Sequence, residues 1–206
     1  MALFIGVDIG QKRDPTAIAV AETDQRQSAH QSGDTHFVIR YLHRLPLGTP
    51  YPEVARRIAE VAEKAQARSN AFPIVFLDAT GVGKPVVDLV SEGWLHGDLY
   101  AVYFTHGDRR RVDGQRVTLG KAHLVSRLQA LLQAGRIHLP PTLEARALAE
   151  ELLDYEIRVD EQGKDRYGAF RTGTHDDLVT ALGLAVQGDD PGLRHFDSAS
   201  ASVLGA

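Results

Sequence analysis

The run LFIGVDI at residues 3–9 is apolar except for one carboxylate, Asp8, and it stops at Gly10. A segment this rich in Ile, Val and Phe reads as a buried strand. Burying a carboxylate there is costly unless it is paired or bound to a cation, and the run contains neither Lys nor Arg. A second apolar run, PIVFLD at 73–78, ends in Asp78, and again no basic residue lies within it. A third element, 176–186, opens on Asp176 and Asp177 and is then apolar on almost every side, which predicts a buried helix. Each acid has a local use on its own: Asp8 before a turn can accept backbone amides, and Asp176 and Asp177 can complement a helix dipole. Together, on three buried elements, they suggest one site. If adjacent strands bring Asp8 and Asp78 side by side, a divalent cation is the natural resolution. Hard oxygen ligands favour magnesium or manganese over zinc, and with no cysteine in the chain there is no thiolate to suggest otherwise.

The order of elements predicts a mixed α/β sheet. Strands at 3–9, 16–22 and 37–45, in tight succession, form an antiparallel meander, with a polar loop at 23–35. Pro52 opens a helix whose apolar face is Val54, Ile58, Val61 and Ala65. The strand at 73–77, a helix at 84–91 and a strand at 99–104 then make a parallel βαβ unit. The segment 106–127 is basic, with Arg109, Arg110, Arg111, Arg116, Lys121 and Arg127. Its second half begins a helix with Leu124, Leu128, Leu131 and Leu132 on one face, closed by Gly135. Thr142 caps a helix running through Leu153. Segments 155–159 and 166–170 form a late hairpin turning at Gln162 and Gly163. Residues 1–187 make one domain, and 188–206, dominated by Gly, Ser, Ala and Asp, are expected to be a flexible tail.

Bulk properties narrow the function classes. A chain of 206 residues with 43% hydrophobic and 24% charged residues suits one soluble globular domain. No apolar run approaches the roughly 18–20 residues of a membrane span, and the start MALFIGVDIG lacks the basic region of a signal peptide. The formal charge of -4 argues against a globally basic nucleic-acid binder but leaves room for a local basic patch. GVGK at 81–84 fails the phosphate-loop pattern, because Asp78 stands where its first glycine belongs and Pro85 follows the lysine. VDIG is also found in actin-like and sugar-kinase phosphate loops, but Gln11 and Lys12 replace the small residues such a loop needs.

The segments FIGVDIGQKRDPTAIAV, VFLDATGVGKPVVDLV, KAHLVSRLQALLQAGRIHLP and HDDLVTALGLA, in that order from Phe4 to about Val186, resemble the nuclease domain of phage terminase large subunits. The resemblance implies a ribonuclease-H-like fold: a mixed five-stranded sheet flanked by helices, with the late β-hairpin as an addition. It implies a metal-dependent endonuclease cutting concatemeric viral DNA during packaging with little sequence specificity. It places Asp8, Asp78, Asp176 and Asp177 as catalytic, metal-binding acids for two Mg²⁺ or Mn²⁺ ions. It implies double-stranded DNA as substrate. In a full terminase the partners would be an upstream ATPase domain, the small terminase subunit and the portal. The setting would be the cytoplasm of the bacterial host, without membrane association or secretion. Such a chain would be an excised domain or a stand-alone product. One departure is Thr180, where the family often has a further Asp one turn into the helix.

Lys84 and Lys121 match basic positions of the family pattern and are candidate phosphate contacts, as are Arg109, Arg110 and Arg111, because an acidic cleft must be offset before DNA can approach. Asp14 and His175 are weaker candidates, explicable as a turn residue and a helix-start residue. Of the last acidic pair, Asp177 is expected to be the inner ligand, because small residues follow it at the spacing that faces the sheet. A RuvC-type junction resolvase and a non-catalytic DNA-binding module of the same fold remain the alternatives.

Overall fold

The computed structural model describes residues 1–10, 14–28, 31–81, 84–93, 97–159, 165–169 and 175–188. Ten strands and five helices follow one another in the order β1 (Leu3–Asp8), β2 (Ala17–Ser28), β3 (Gln31–Arg44), α1 (Tyr51–Ser69), β4 (Pro73–Asp78), α2 (Lys84–Gly93), β5 (Asp98–Thr105), β6 (Arg110–Asp113), β7 (Arg116–Gly120), α3 (Lys121–Gln133), β8 (Ile137–His138), α4 (Leu143–Asp154), β9 (Tyr155–Val159), β10 (Asp165–Ala169) and α5 (Asp177–Ala185). Eight strands form one sheet in the order β6-β7-β5-β4-β1-β2-β3-β8, and β9 and β10 pair separately. β1, β2 and β3 are antiparallel neighbours, whereas β1 with β4 and β4 with β5 run parallel, as the tight first connections and the later crossover require.

The two sides of the sheet carry separate cores. Leu3, Ile5, Val7, Val20, Val75 and Leu77 pack with Val54, Ile58 and Val61 of α1 and with Val86 and Val90 of α2. Phe4, Ala17, Ala19, Ala21, Phe76 and Val102 pack with α5 and with Leu124 and Leu128 of α3. Strand alternation fixes this division. It also fixes where the acids go: Asp8 follows Phe4 and Gly6 onto the α5 side, and Asp78 follows Phe76.

Small residues let α5 lie close on that side. A Cβ at Gly6 would overlap the backbone at Ala181 and Ala185, so the strand and the helix touch main chain to main chain there. The alanines of β2 continue the shallow surface, and all nine residues of α5 are buried. The helix therefore reaches the carboxyl ends of β1 and β4 with its first turn.

The central five strands, β5-β4-β1-β2-β3, match the expected mixed sheet, but the sheet is wider. The basic segment contributes the β6–β7 hairpin, and β8 adds two residues beside β3. The stretch expected as a loop at 23–35 is instead a continuation of β2 and β3, paired as far as Ser28 with Gln31. Its polar residues give no alternation to read, and the backbone ladder between the two strands holds it extended. Thr142 does cap α4, accepting a hydrogen bond from the amide of Ala145 at 3.2 Å. The late hairpin β9–β10 pairs as expected, while its turn at 160–164 and the proposed tail beyond Gly188 lie outside the described residues. No described helix is long and apolar enough to cross a membrane.

Candidate metal centre

Strand register assembles the site. Asp8 pairs with Ala17 of β2, and Ala17 pairs with Arg44 of β3. On the other side Val7 pairs with Leu77, so Asp8 and Asp78 stand next to each other one residue further along the parallel strands. Asp78, Asp8, Ala17 and Arg44 thus form a row across four strands on the face that α5 covers. With strands about 4.8 Å apart, Asp8 and Arg44 are about 10 Å apart at the backbone, and small, buried Ala17 leaves a gap between them.

The acids perturb one another. Burial and then the neighbouring Asp78, Asp176 and Asp177 push the Asp8 carboxyl well above its ordinary value of 3.8, with Lys121 pulling the other way. Asp78 is also raised, chiefly by burial, against hydrogen bonds from Thr80, the charge of Lys121 and a hydrogen bond with Asp8. Thr80 donates its amide to Asp78 Oδ1 at 2.8 Å, which fixes the turn after β4. A carboxylate pair sharing a proton is how like charges coexist without a cation.

Asp177 is 3% exposed and faces inward, as helix packing requires. The inward side is not free. Arg44 donates from Nε to Asp177 Oδ2 at 2.5 Å, and the same guanidinium pairs with Glu151 of α4. Glu151 Oε2 accepts the amides of Leu178 and Val179, both at 3.1 Å. Asp176, in the N-cap position of α5, makes no side-chain cap bond, so Glu151 caps this helix from another element. Asp177 Oδ1 is buried and accepts no hydrogen bond, and His175 Nδ1 is 3.8 Å from it. Of the adjacent pair, Asp176 acts more strongly on Asp8 than Asp177 does. Both acids reach the site, by different routes.

These residues fit a hard divalent ion. Their donors are carboxylate oxygens, burial pushes two of the acids toward protonation with repulsion adding to it at Asp8, and the buried Oδ1 of Asp177 accepts no hydrogen bond. Among the described residues no three such side chains close on one point, which agrees with Asp8 and Asp78 turning toward each other and Asp177 toward Arg44. Binding an ion would require these side chains to reorient and their carboxyls to ionise.

The basic candidates divide by position. Lys121 opens α3 directly after β7, its Nζ 5.5 Å from the Phe104 ring centroid, and its charge reaches both Asp8 and Asp78. Arg109 is exposed in the loop before β6, and its carbonyl accepts the Gly120 amide at 2.7 Å beside Lys121. The three arginines do not act as one cluster, because β6 alternates. Arg110 pairs with Leu119 on the α5 side, whereas Arg111 pairs with Thr118 on the other. Lys84 opens α2, but its side chain lies outside the described residues. Asp14 and His175 are exposed. A cleft of about 490 Å³ lined by Val20, Tyr41 and Val61 belongs to the α1 side, on the far face from the acids.

Sequence reading missed Arg44, Glu151 and Gly6. Glu151 had a signal, since it follows Ala145 and Leu148 on the buried face of α4.

No family model matches the chain, and no curated protein matches it. Solved structures do. The large terminase nuclease of thermophilic phage G20c, in a crystal with bound magnesium, superposes with a TM-score of 0.62 at 21% identity, covering 89% of this chain and 79% of that one. The chain has the fold of terminase nucleases. The human cytomegalovirus terminase nuclease domain superposes at 0.61 with 14% identity, covering 92% and 84%. The nuclease domain of the bacteriophage SPP1 large terminase, with bound Mn, gives 0.53 at 15% identity, covering 92% and 88%. The sheet order and the helices on its two sides are those of the ribonuclease-H-like class.

Proposed function

We propose that the chain is a divalent-metal-dependent DNA endonuclease domain of a terminase large subunit, cutting viral DNA for packaging. One observation carries this reading: Asp78 and Asp8 stand side by side under the first turn of α5, which brings Asp176 and Asp177, on a fold shared with terminase nucleases crystallised with magnesium, cobalt or manganese. Asp8, Asp78, Asp176 and the Oδ1 of Asp177 would hold one or two Mg²⁺ or Mn²⁺ ions. When bound, such ions supply Lewis acidity at the phosphate and lower the pKa of water. Lys121 adds positive charge beside the acids, and Arg109 and Arg110 meet phosphates flanking them. Double-stranded DNA is the substrate, and an ATPase domain, a small subunit and a portal are the partners in a full terminase. The structures matched favour this reading over a junction resolvase of the same fold.

The test is incubation of the protein with supercoiled plasmid in Mn²⁺, Mg²⁺ or EDTA. Nicking and linearisation with a divalent ion, and intact plasmid in EDTA, are expected. Cleavage that survives EDTA, or none with either ion, contradicts the reading.

DNA affinity checks the basic residues. Each phosphate contact contributes about 0.9 to the slope of log affinity against log salt. Replacing Arg109 and Arg110 by Ala should flatten that slope by about two units, uniformly across sequences. Arg111→Ala, on the far face, should leave the slope nearly unchanged. Equal effects of Arg110→Ala and Arg111→Ala would show that the hairpin does not approach DNA by the α5 face.

A further inference from the structure

We infer that Arg44 and Glu151 are positioning residues for the metal centre, acting through Asp177 without touching the metal or the DNA. This rests on the nuclease reading above and extends it to two residues outside the acidic set.

The geometry is that of a clamp. Arg44 closes β3, in the same row as Asp8 and two strands away. Glu151 sits on the buried face of α4, and Asp177 opens α5. Three separate elements therefore meet at one guanidinium, whose side chain is 27% exposed while the two carboxylates are nearly buried. A guanidinium presents its donors in a fixed planar fork. With Asp177 Oδ2 on Nε and Glu151 on the terminal nitrogen, the Asp177 carboxylate can neither rotate nor exchange its oxygens freely. Oδ1 is the atom left over, buried and without a hydrogen bond. Glu151 uses its second oxygen on the amides of Leu178 and Val179, so the same residue fixes both the position of α5 and the orientation of Arg44.

A simpler account is that the trio only compensates buried charge. That account leaves Asp177 Oδ1 buried without a hydrogen bond, with the His175 ring nitrogen 3.8 Å away, while the Asp8 carboxyl senses the Asp177 charge. A group arranged only for stability would satisfy Asp177 Oδ1 as well. A clamp that holds one oxygen and presents the other serves a ligand. Outer-sphere partners of metal ligands typically govern affinity by 10–100-fold.

The experiment is calorimetric titration of Mn²⁺ into the metal-free protein without DNA, accompanied by melting temperatures. Arg44→Lys keeps the charge and loses the fork, and should weaken Mn²⁺ binding about tenfold. Arg44→Gln with Glu151→Gln replaces the ion pair by neutral groups that can still hydrogen-bond each other and the α5 amides. It keeps the fold and should weaken binding toward a hundredfold. In an Asp177→Asn background, Arg44→Lys should cost less than a further twofold, because Arg44 acts through Asp177. Lowered melting temperature with unchanged Mn²⁺ affinity in the folded variants overturns the inference and leaves the nuclease reading standing. A full tenfold loss for Arg44→Lys in the Asp177→Asn background overturns it too. If the wild-type protein itself binds no Mn²⁺, the nuclease reading falls and this inference with it.

Discussion

Asp8→Asn and Asp78→Asn are each expected to reduce plasmid cleavage by well over a hundredfold while raising the melting temperature of the metal-free protein at neutral pH. The loss of activity must exceed the 10–100-fold typical of removing a mere outer-sphere partner, because each substitution removes a carboxylate from the centre of the row. The gain in stability follows from burial of both acids, with repulsion from Asp78, Asp176 and Asp177 adding to it at Asp8. The Asp8 carboxyl stands well above 3.8 in the folded protein. An acid raised on folding contributes favourably below its unfolded value, and that contribution is lost as pH rises through the folded value. Above that range the ionised wild-type acid carries a cost that Asn does not. Asp78, also raised, behaves in the same direction. In a domain of this size each 1 kcal/mol gained moves the melting temperature by about 2–4 °C. Thermal melts of both variants between pH 4 and 8, in EDTA, should show the difference from wild type growing with pH. A marked fall in melting temperature for both would mean that the acids hold the fold and not an ion.

Gly6→Ala is expected to damage the protein severely. The new Cβ meets backbone at Ala181 and Ala185, which cannot rotate aside. Overpacking of this kind costs about 1–3 kcal/mol, and rigid obstacles on both sides put this position at the upper end. The melting temperature should drop by about 6–12 °C on that scale. Gly183→Ala is the informative comparison. Its Cβ would meet only the Leu124 side chain, which can shift rotamer, and Ala in a helix is favoured over Gly by about 1 kcal/mol. Its net effect should be small. Gly6→Ala should also weaken Mn²⁺ binding, since lifting α5 moves Asp176 and Asp177 away from Asp8. Equal melting temperatures for the two variants would show that α5 does not seat on β1 at Gly6.

The acids were legible in sequence because a buried carboxylate without a neighbouring cation is an anomaly in any strand. Asp8 and Asp78 announced themselves in this way, but sequence left their adjacency as a condition, and the β1–β4 register supplies it. The clamp was less visible. Arg44 ends a strand expected to run to Leu45, and only register with Ala17 shows that it shares a face with Asp8. Glu151 sits in a helix with several other charges, EARALAEELLD, where one more acid reads as solvated surface. Asp177 was expected to face inward as a ligand, and it is buried there, but no local pattern could show that Arg44 waits on that side. The extra strands escaped for a different reason. The β2–β3 extension is polar and offers no apolar alternation, and the β6–β7 hairpin carries its alternation, Val117 and Leu119, on only five residues inside a basic segment.

The most direct test of the metal centre is the titration of Mn²⁺ into metal-free wild-type and Asp8→Asn proteins, in two buffers of different ionisation heat. Wild-type protein should bind Mn²⁺ and release a proton on binding, because the ion takes only the ionised form of the Asp8 and Asp78 carboxyls, which burial pushes up. The affinity should rise with pH through the raised Asp8 value. Asp8→Asn should bind far more weakly and release no such proton. Binding that is equally tight in Asp8→Asn, or that releases no proton from the wild type, would contradict the account.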